Sequence, residues 1–421
     1  MSAIAVDLTR MITRLAHPSP SGIDRVDLAY ARHVLAQPGE RFGLVSTALG
    51  PRVLDRDAAA SVVAAAAEGW EESLEAAGDA VYRGLLAKLG TGPAPAIASA
   101  SPRPRDTRRR LRVETALRVL RAGGHEALPQ GTTYLHTSHL RLDRPERFDW
   151  LYDRQDVRTV FFVHDLIPIS YPEYGRPGEA ERHAVRMETM ARHGAQIIAN
   201  SADVAAHFSG YLAHRALPAR PVAVAPLGVE PSFAEGPTHF APERPTFVVC
   251  GTIEPRKNHL LLLNLWRDLA AELGPQTPRL VLVGRRGWEA ENVVDMLDRC
   301  RAVADHVTEV RGLSTAGLAD LLRGATALLM PSFAEGYGIP VVEAAACRLP
   351  VIASDIPVHR EIGAGFAEFL HPLDGAGWRR TILAVSDPKS GLRAAMAARL
   401  ADYAAPTWGD HFTIAEPLLH E

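Results

Sequence analysis

Cysteine is nearly absent from this chain. Its 421 residues include three, Cys250, Cys300 and Cys347, at spacings that fit neither a metal site nor a disulfide framework. That excludes a disulfide-stapled secreted scaffold and leads us to expect a reducing, cytoplasmic setting. No stretch reaches the ~18 consecutive apolar residues of a membrane span. The opening Met-Ser-Ala-Ile-Ala-Val-Asp-Leu has no basic region followed by an apolar run, so no signal peptide is expected. An excess of one charge sign is also missing. The formal net charge is -3, which gives no general pull toward nucleic acid and requires any polyanion binding to be local. The one Asp-x-Asp pattern, Asp55-Arg-Asp57, lies apart from the motifs below and reads as a solvated pair, so no metal is expected.

What is present is a soluble globular composition, 47% hydrophobic and 23% charged. The length suggests about two or three domains. Short apolar runs alternate with helical patterns. In the first half the runs are Ile4 to Leu8, Phe42 to Ser46, Thr132 to His136, Thr159 to Val163, Gln196 to Ala199 and Pro221 to Pro226. An alanine-rich stretch from Ala58 to Leu86 reads as a helical pair or one broken helix. The alternation predicts parallel sheets with helices on both faces. Residues 236–245, rich in proline, read as a linker. A second series then starts, with strands over Thr246 to Gly251, Arg279 to Gly284, His306 to Val310 and Thr326 to Met330, and helices over His259 to Leu273, Val293 to Val303, Ser314 to Arg323 and Ala394 to Tyr403. The expected organisation is an N-terminal Rossmann-like domain over 1–235, the linker, a second Rossmann-like domain over 246–400, and a C-terminal segment over 401–421 that returns to the first domain. Such a pair leaves one obvious ligand site, a cleft between the carboxyl edges of the two sheets.

The chemistry concentrates after the strand that ends at Met330. Glu335, Gly336, Tyr337, Gly338 and Ile339 form a loop, Pro340 opens a helix, and Glu343 lies within it. Proline suits a first helical turn, whose N–H groups lack intrahelical partners and favour an anion. Gly336 and Gly338 let backbone approach a ligand closely, and the two carboxylates can accept hydrogen bonds from hydroxyl groups. A diphosphate between two polyols, as in a nucleotide sugar, satisfies every part. Gly251 opens a second loop, Gly-Thr-Ile-Glu-Pro-Arg256-Lys257-Asn-His259, in which an adjacent Arg and Lys can neutralise a diphosphate. Gly284-Arg-Arg-Gly-Trp288 takes the equivalent turn after the next strand.

These motifs, in this order, resemble the retaining glycosyltransferases of family 4, with the GT-B fold. Glu335 and Glu343 match that family's E-x7-E signature, and Phe162-Val-His164-Asp165-Leu-Ile-Pro with Ala-Asn200-Ser201 is similar to motifs of its mannosyltransferase-like branch. The resemblance implies an α/β GT-B enzyme with two doubly wound domains facing each other across a cleft. It implies that Glu335 contacts donor-sugar hydroxyls and Glu343 the ribose, that Gly336 to Ile339 approach the sugar and phosphates, and that Arg256 and Lys257 hold the departing diphosphate. Gly251 and Gly284 complete the donor loops, and His164 lies beside the reacting carbon. The implied reaction moves a hexose, mannose weakly favoured, from a GDP-, UDP- or dTDP-sugar to a glycan or lipid-linked glycan in polysaccharide synthesis. No cofactor is implied beyond the donor itself. A sugar-nucleotide epimerase and a catalytically silent binding protein remain as alternatives. The family's glycine-pair loop after the first strand is missing; Gly22, Asp24 and Arg25 stand in its place, and with Asp165 and Asn200 they are the candidate acceptor-side residues.

One further segment has its own character. From Arg103 to Arg121 eight arginines face two acids, and Leu111, Val113, Leu117 and Leu120 are spaced to line one side of a helix. Such a helix can lie on an anionic membrane surface, at its cytoplasmic face, or dock its leucines into the domain.

Overall fold

The computed structural model describes residues 2–15, 20–70, 75–92 and 114–420. The chain divides into two compact units, the first built from Met1–Ser73, Ala100–Gly228 and Trp408–Glu421, the second from Leu74–Ser99 and Val229–Thr407.

Unit 1 holds a seven-stranded sheet of β1 (Ile4–Asp7), β2 (Arg41–Thr47), β3 (Gly50–Leu54), β4 (Thr133–His136), β5 (Arg158–Val163), β6 (Gln196–Ala199) and β7 (Val222–Val224), in the order β3-β2-β1-β4-β5-β6-β7. Its central strands are buried along both faces, with Val160, Phe161, Phe162 and Val163 all fully buried in β5. That explains why they read as continuous apolar runs rather than alternating ones. The expectation of a purely parallel sheet is corrected at one edge. Strand β3 returns antiparallel on β2, pairing Leu44 with Val53 and Thr47 with Gly50. Gly50 supplies the left-handed backbone of the turn, at φ 91°. Pro51 inside the run disguises the strand, and its missing N–H is tolerated because β3 is an edge. The C-terminal helix Trp408–Ala415 belongs to this unit. His411 bonds the Pro226 carbonyl at 2.9 Å and the Tyr30 hydroxyl at 2.7 Å.

Unit 2 holds a six-stranded, wholly parallel sheet of β8 (Thr246–Cys250), β9 (Arg279–Val283), β10 (Val307–Val310), β11 (Ala327–Met330), β12 (Val351–Ser354) and β13 (Glu368–Leu370), ordered β10-β9-β8-β11-β12-β13. The order reverses between β8 and β11, and in doubly wound sheets the loops leaving the carboxyl ends of such a pair form the ligand crevice. Residues before β8 are not loose chain. Arg323 donates to the Pro237 and Ser232 carbonyls, His239 pairs with the buried Asp320 at 2.7 Å, and Phe240 is fully buried. The helix Ala80–Lys88 also belongs here; Asp79 caps it and accepts the Ser314 N–H at 2.7 Å. The single helix expected over Val293 to Val303 is two, Glu291–Arg299 and Arg301–Ala304, broken where Cys300 takes extended backbone at ψ 104°. The last helix of this unit runs Gly391–Leu400, three residues earlier than expected. Both units are mixed α/β and Rossmann-like, together a GT-B fold.

Candidate functional site

The crevice of unit 2 is built from three loops. After β8, Gly251 adopts φ 138°, and a side chain there would meet the Lys257 Cε at 3.0 Å. Gly284, after β9, lies so close to this turn that a Cβ would sit 1.8 Å from the Gly251 carbonyl oxygen. Gly284 is therefore required by the Gly251 backbone, and Gly251 by its own left-handed φ. A short turn, Pro255–Lys257, carries the cations, and Asn258 closes it in the left-handed region at φ 54°. The Asn258 side chain donates to the Pro331 carbonyl at 3.1 Å and the Pro372 carbonyl at 2.9 Å, locking this loop to the one after β11.

Glu335 is the hub of that second loop. Its Oε1 accepts from Lys257 Nζ at 2.5 Å and from the Ser332 hydroxyl at 2.7 Å, and its Oε2 accepts from Arg256 at 2.7 Å. A carboxylate offers about four lone-pair positions, so at most one more donor can be received. Burial alone would raise its pKa, but Arg256 and Lys257 outweigh that and hold it well below the usual carboxylate range. Burial pushes Lys257 down despite Glu335. Arg256 is further tied to Glu254 at 2.6 Å and to the Ala334 carbonyl at 2.9 Å. Glu254, buried, is raised by that burial. Two cations and two carboxylates thus form one largely buried network, tied to backbone at Ala334.

Gly338, at φ 87°, caps the helix Ile339–Ala346, with Pro340 in its first turn. Gly336 and Tyr337 precede it, and Glu343 is buried within the helix. Beneath Gly338 lies a residue that sequence reading missed. His359 is fully buried and bonds the Ser354 carbonyl through Nδ1 at 3.0 Å, while its Nε2, 3.3 Å from where a Gly338 Cβ would be, has no hydrogen-bond partner among the described residues. Burial lowers its pKa, leaving a neutral ring with a lone pair toward the glycine loop. Ser332 and Glu254 were missed as well. Both lie inside the motifs around Lys257 and Glu335, but their role comes from the pairing of β8 beside β11.

The remaining candidates lie in unit 1, at the carboxyl ends of β1, β4, β5 and β6. His164 is buried, bonds the Thr137 carbonyl through Nε2 at 2.7 Å, and its backbone N–H donates to His139 at 3.2 Å. Burial brings its pKa down to about 4, so the ring is neutral at physiological pH. Asn200 donates to the His164 carbonyl at 3.0 Å. Asp165 turns its carboxylate to the Ile167 N–H at 3.0 Å. Gly22 begins the helix Gly22–Ala36 and Arg25 lies in its first turn, with the Arg25 N–H on the Ser21 carbonyl at 3.1 Å. Asp24 forms a capping box with Ser21 and is gripped by Arg10 at 2.8 Å and Arg14 at 3.1 Å, a structural engagement. Asp27, which sequence reading passed over, is buried, accepts from the Thr137 hydroxyl at 2.7 Å, and is pushed up to about 8 by burial. Among the described residues no group of three His, Cys, Asp or Glu side chains is arranged to hold a metal ion.

Residues 234–367 match the family model of glycosyl transferases group 1. This corrects the family expected from the motifs: the match is to group 1, not to family 4. The serotype-specific mannosyltransferase WbdA of Escherichia coli is 30% identical over 219 residues, covering 48% of this chain and 27% of that protein. The O-antigen chain mannosyltransferase RfbU of Salmonella typhimurium is 33% identical over 142 residues, 32% of this chain and 37% of that one. The chain therefore spans well under half the length of these curated relatives. Among solved structures, Anabaena HepE in complex with UDP and glucose superposes with a TM-score of 0.63 at 15% identity over 100% of both chains. Sucrose-phosphate synthase from Thermosynechococcus elongatus gives 0.61 at 16%, over 100% of this chain and 99% of that one. The chain has the GT-B fold, and its residues 234–367 match the glycosyl transferases group 1 model.

Proposed function

We propose that this chain transfers a hexose, with mannose favoured, from a nucleotide sugar to a glycan or lipid-linked glycan, with retention of configuration. The observation that carries the reading is the network of Arg256, Lys257 and Glu335 at the switch point of unit 2. Two adjacent cations, one of them desolvated, suit a diphosphate whose charge grows as the sugar departs, and such preorganised charge is the largest single source of rate in reactions of this kind. The helix Ile339–Ala346 adds its N-terminal N–H groups to the same anion. Glu335 keeps its charge through Arg256 and Lys257 and has capacity for one sugar hydroxyl. Glu343 is assigned to the ribose, and the lone pair of His359 to a hydroxyl or N–H held over Gly338.

Unit 1 is assigned the acceptor. His164, neutral and oriented by Thr137, takes the position beside the reacting carbon; Asn200 fixes its backbone. No carboxylate is assigned as a covalent nucleophile, so the acceptor attacks on the face that the diphosphate leaves, and the departing phosphate takes the acceptor proton. The mannosyltransferases WbdA and RfbU support mannose. The base is left open among GDP, UDP and dTDP, because diphosphate and ribose contacts are common to all three.

The helix over 114–121 supports peripheral membrane contact. Leu117 and Leu120 are 46% and 68% exposed, beside exposed Arg118 and Arg121, while Val119 packs inward. The leucines are therefore not docked into the unit, and an anionic surface would take both side-chain types. The arginines from 103 to 112 lie outside the described residues. Among those described, no helix is long and apolar enough to cross a membrane. Release of free hexose or transfer to a glycan from one of the three donors, lost in Lys257→Ala, tests the reading; epimerised donor without any acceptor would replace it.

A further inference from the structure

Beside the edge strand β3, unit 1 carries an open groove of ≈ 550 Å³ that none of the candidate residues above lines. Its size falls within the range of small-molecule sites. Pro51 and Trp150, both buried, form its apolar floor, and Leu49 stands at its lip, 77% exposed. Arg52 and Arg147 are half-buried in its wall. Each spends one N–H on a backbone carbonyl, Arg52 on Ala122 and Arg147 on Thr47. The rest of each guanidinium has no hydrogen-bond partner among the described residues. The same groove is lined by Glu146, Asp149 and Asp153, exposed with no ion pair among the described residues, and by Glu126, paired with His125 at 3.6 Å.

The balance of charge decides the ligand class. Four carboxylates against two guanidiniums give the groove a net negative lining at neutral pH, so phosphates, anionic lipids and nucleic acid are repelled. A small apolar ligand would cover the half-buried guanidiniums without supplying the acceptors that the rest of each lacks. A neutral polyol satisfies both sets at once: its hydroxyls donate to the carboxylates and accept from the guanidiniums, while its C–H faces lie on Pro51, Leu49 and the Trp150 edge. We infer that this groove is a second carbohydrate subsite, one that holds a neutral oligosaccharide segment of the acceptor away from the residues of transfer. The inference rests on the proposed reading of the acceptor as a glycan. Its consequence is length dependence, because a short acceptor reaches only the transfer residues and a longer one engages β3 as well.

The test uses the full chain, saturation-transfer NMR and tryptophan fluorescence, with neutral mannopentaose and maltopentaose, and a fully sulfated maltopentaose as the anionic control. Donor binding is read separately by thermal shift. The expected result is binding of at least one neutral pentaose, weakened fivefold or more in the exposed-lip variant Glu146→Ala/Asp149→Ala and in Arg52→Gln, with the donor shift unchanged in both. Trp150→Phe should remove the fluorescence response while leaving the NMR signal. Unchanged affinity in both variants, tighter binding of the sulfated chain, or no pentaose binding by a protein that does bind donor would overturn the inference. Pentaose binding with these sensitivities but without any donor shift would uphold the groove and instead refute the transferase reading.

Discussion

Lys257 Nζ lies 2.5 Å from Glu335 Oε1, and both side chains are more than nine-tenths buried. The two residues are 78 positions apart in sequence and meet because β8 and β11 are neighbours in the sheet. Each is the reason the other can be charged where it is. Burial of either one alone would favour its neutral form.

A folding cost follows from that pairing. Read as isolated motif residues, both would be expected to tolerate substitution with loss of activity only. As partners, Glu335→Ala strands Lys257 in a desolvated site, and breaking a buried pair from one side typically costs ~3–5 kcal/mol. The double variant Lys257→Met/Glu335→Leu should cost less than the sum of the single changes Lys257→Met and Glu335→Leu. Denaturant titration of the four proteins measures the coupling; additive losses would contradict it.

Backbone proximity makes a second demand. Gly284→Ala places a methyl 1.8 Å from the Gly251 carbonyl oxygen, so one of the two turns must move. Overpacking of this kind costs about 1–3 kcal/mol. The variant should unfold earlier in urea and bind donor more weakly than Gly210→Ala, where a Cβ meets nothing within 4 Å. Equal behaviour of the two would be contrary to the arrangement described.

The buried histidines set a pH dependence in unit 2. His259 is brought down to about 3 by burial first, then by Lys257 and Arg256. A basic group with a lowered folded pKa binds its proton more readily in the unfolded chain. Its destabilising contribution is therefore absent above about 6.5 and grows as pH drops from 6.5 toward 3. Between pH 6 and 4 the slope from this one group approaches about 1.4 kcal/mol per pH unit. Stability measured across that window should depend less on pH in His259→Leu than in the parent chain. Identical slopes would remove His259 from the explanation.

Surface attachment gives a prediction that does not involve the crevice. Leu117→Ser/Leu120→Ser should weaken sedimentation with anionic vesicles several-fold while leaving binding of nucleotide sugars unchanged. Sedimentation equal to that of the parent chain would mean that the exposed leucines serve something other than lipid.

How much of this was legible beforehand depended on whether the information was local. The central strands of both sheets read as apolar runs because both their faces are covered; edge strand β13 (Glu368–Leu370) did not, being only partly buried. The Gly338-Ile339-Pro340 turn announced its helix through backbone chemistry that any chain must obey. Strand β3 stayed hidden because Pro51 sits inside it, and only its edge position makes that permissible. The break at Cys300 left no mark, since nothing in the helical periodicity of Val293 to Val303 forbids continuation. Arg256 and Lys257 could be nominated from their adjacency. Their grip on Glu335, and the places of Ser332, Glu254 and His359 around it, come from strand order, which no local pattern encodes. Asp24 was nominated by its position alone; its bonds to Ser21, Arg10 and Arg14 come from the fold.

The central claim is that the network around Glu335 receives a nucleotide sugar. Thermal denaturation of the full chain in the presence of GDP-, UDP-, ADP- and dTDP-sugars tests it most directly, since a ligand that binds only the folded protein raises its midpoint by mass action. The account predicts an upward shift with at least one donor that is absent in Lys257→Met and restored in part by Lys257→Arg. A midpoint unmoved by every donor, or moved equally in Lys257→Met, would contradict it.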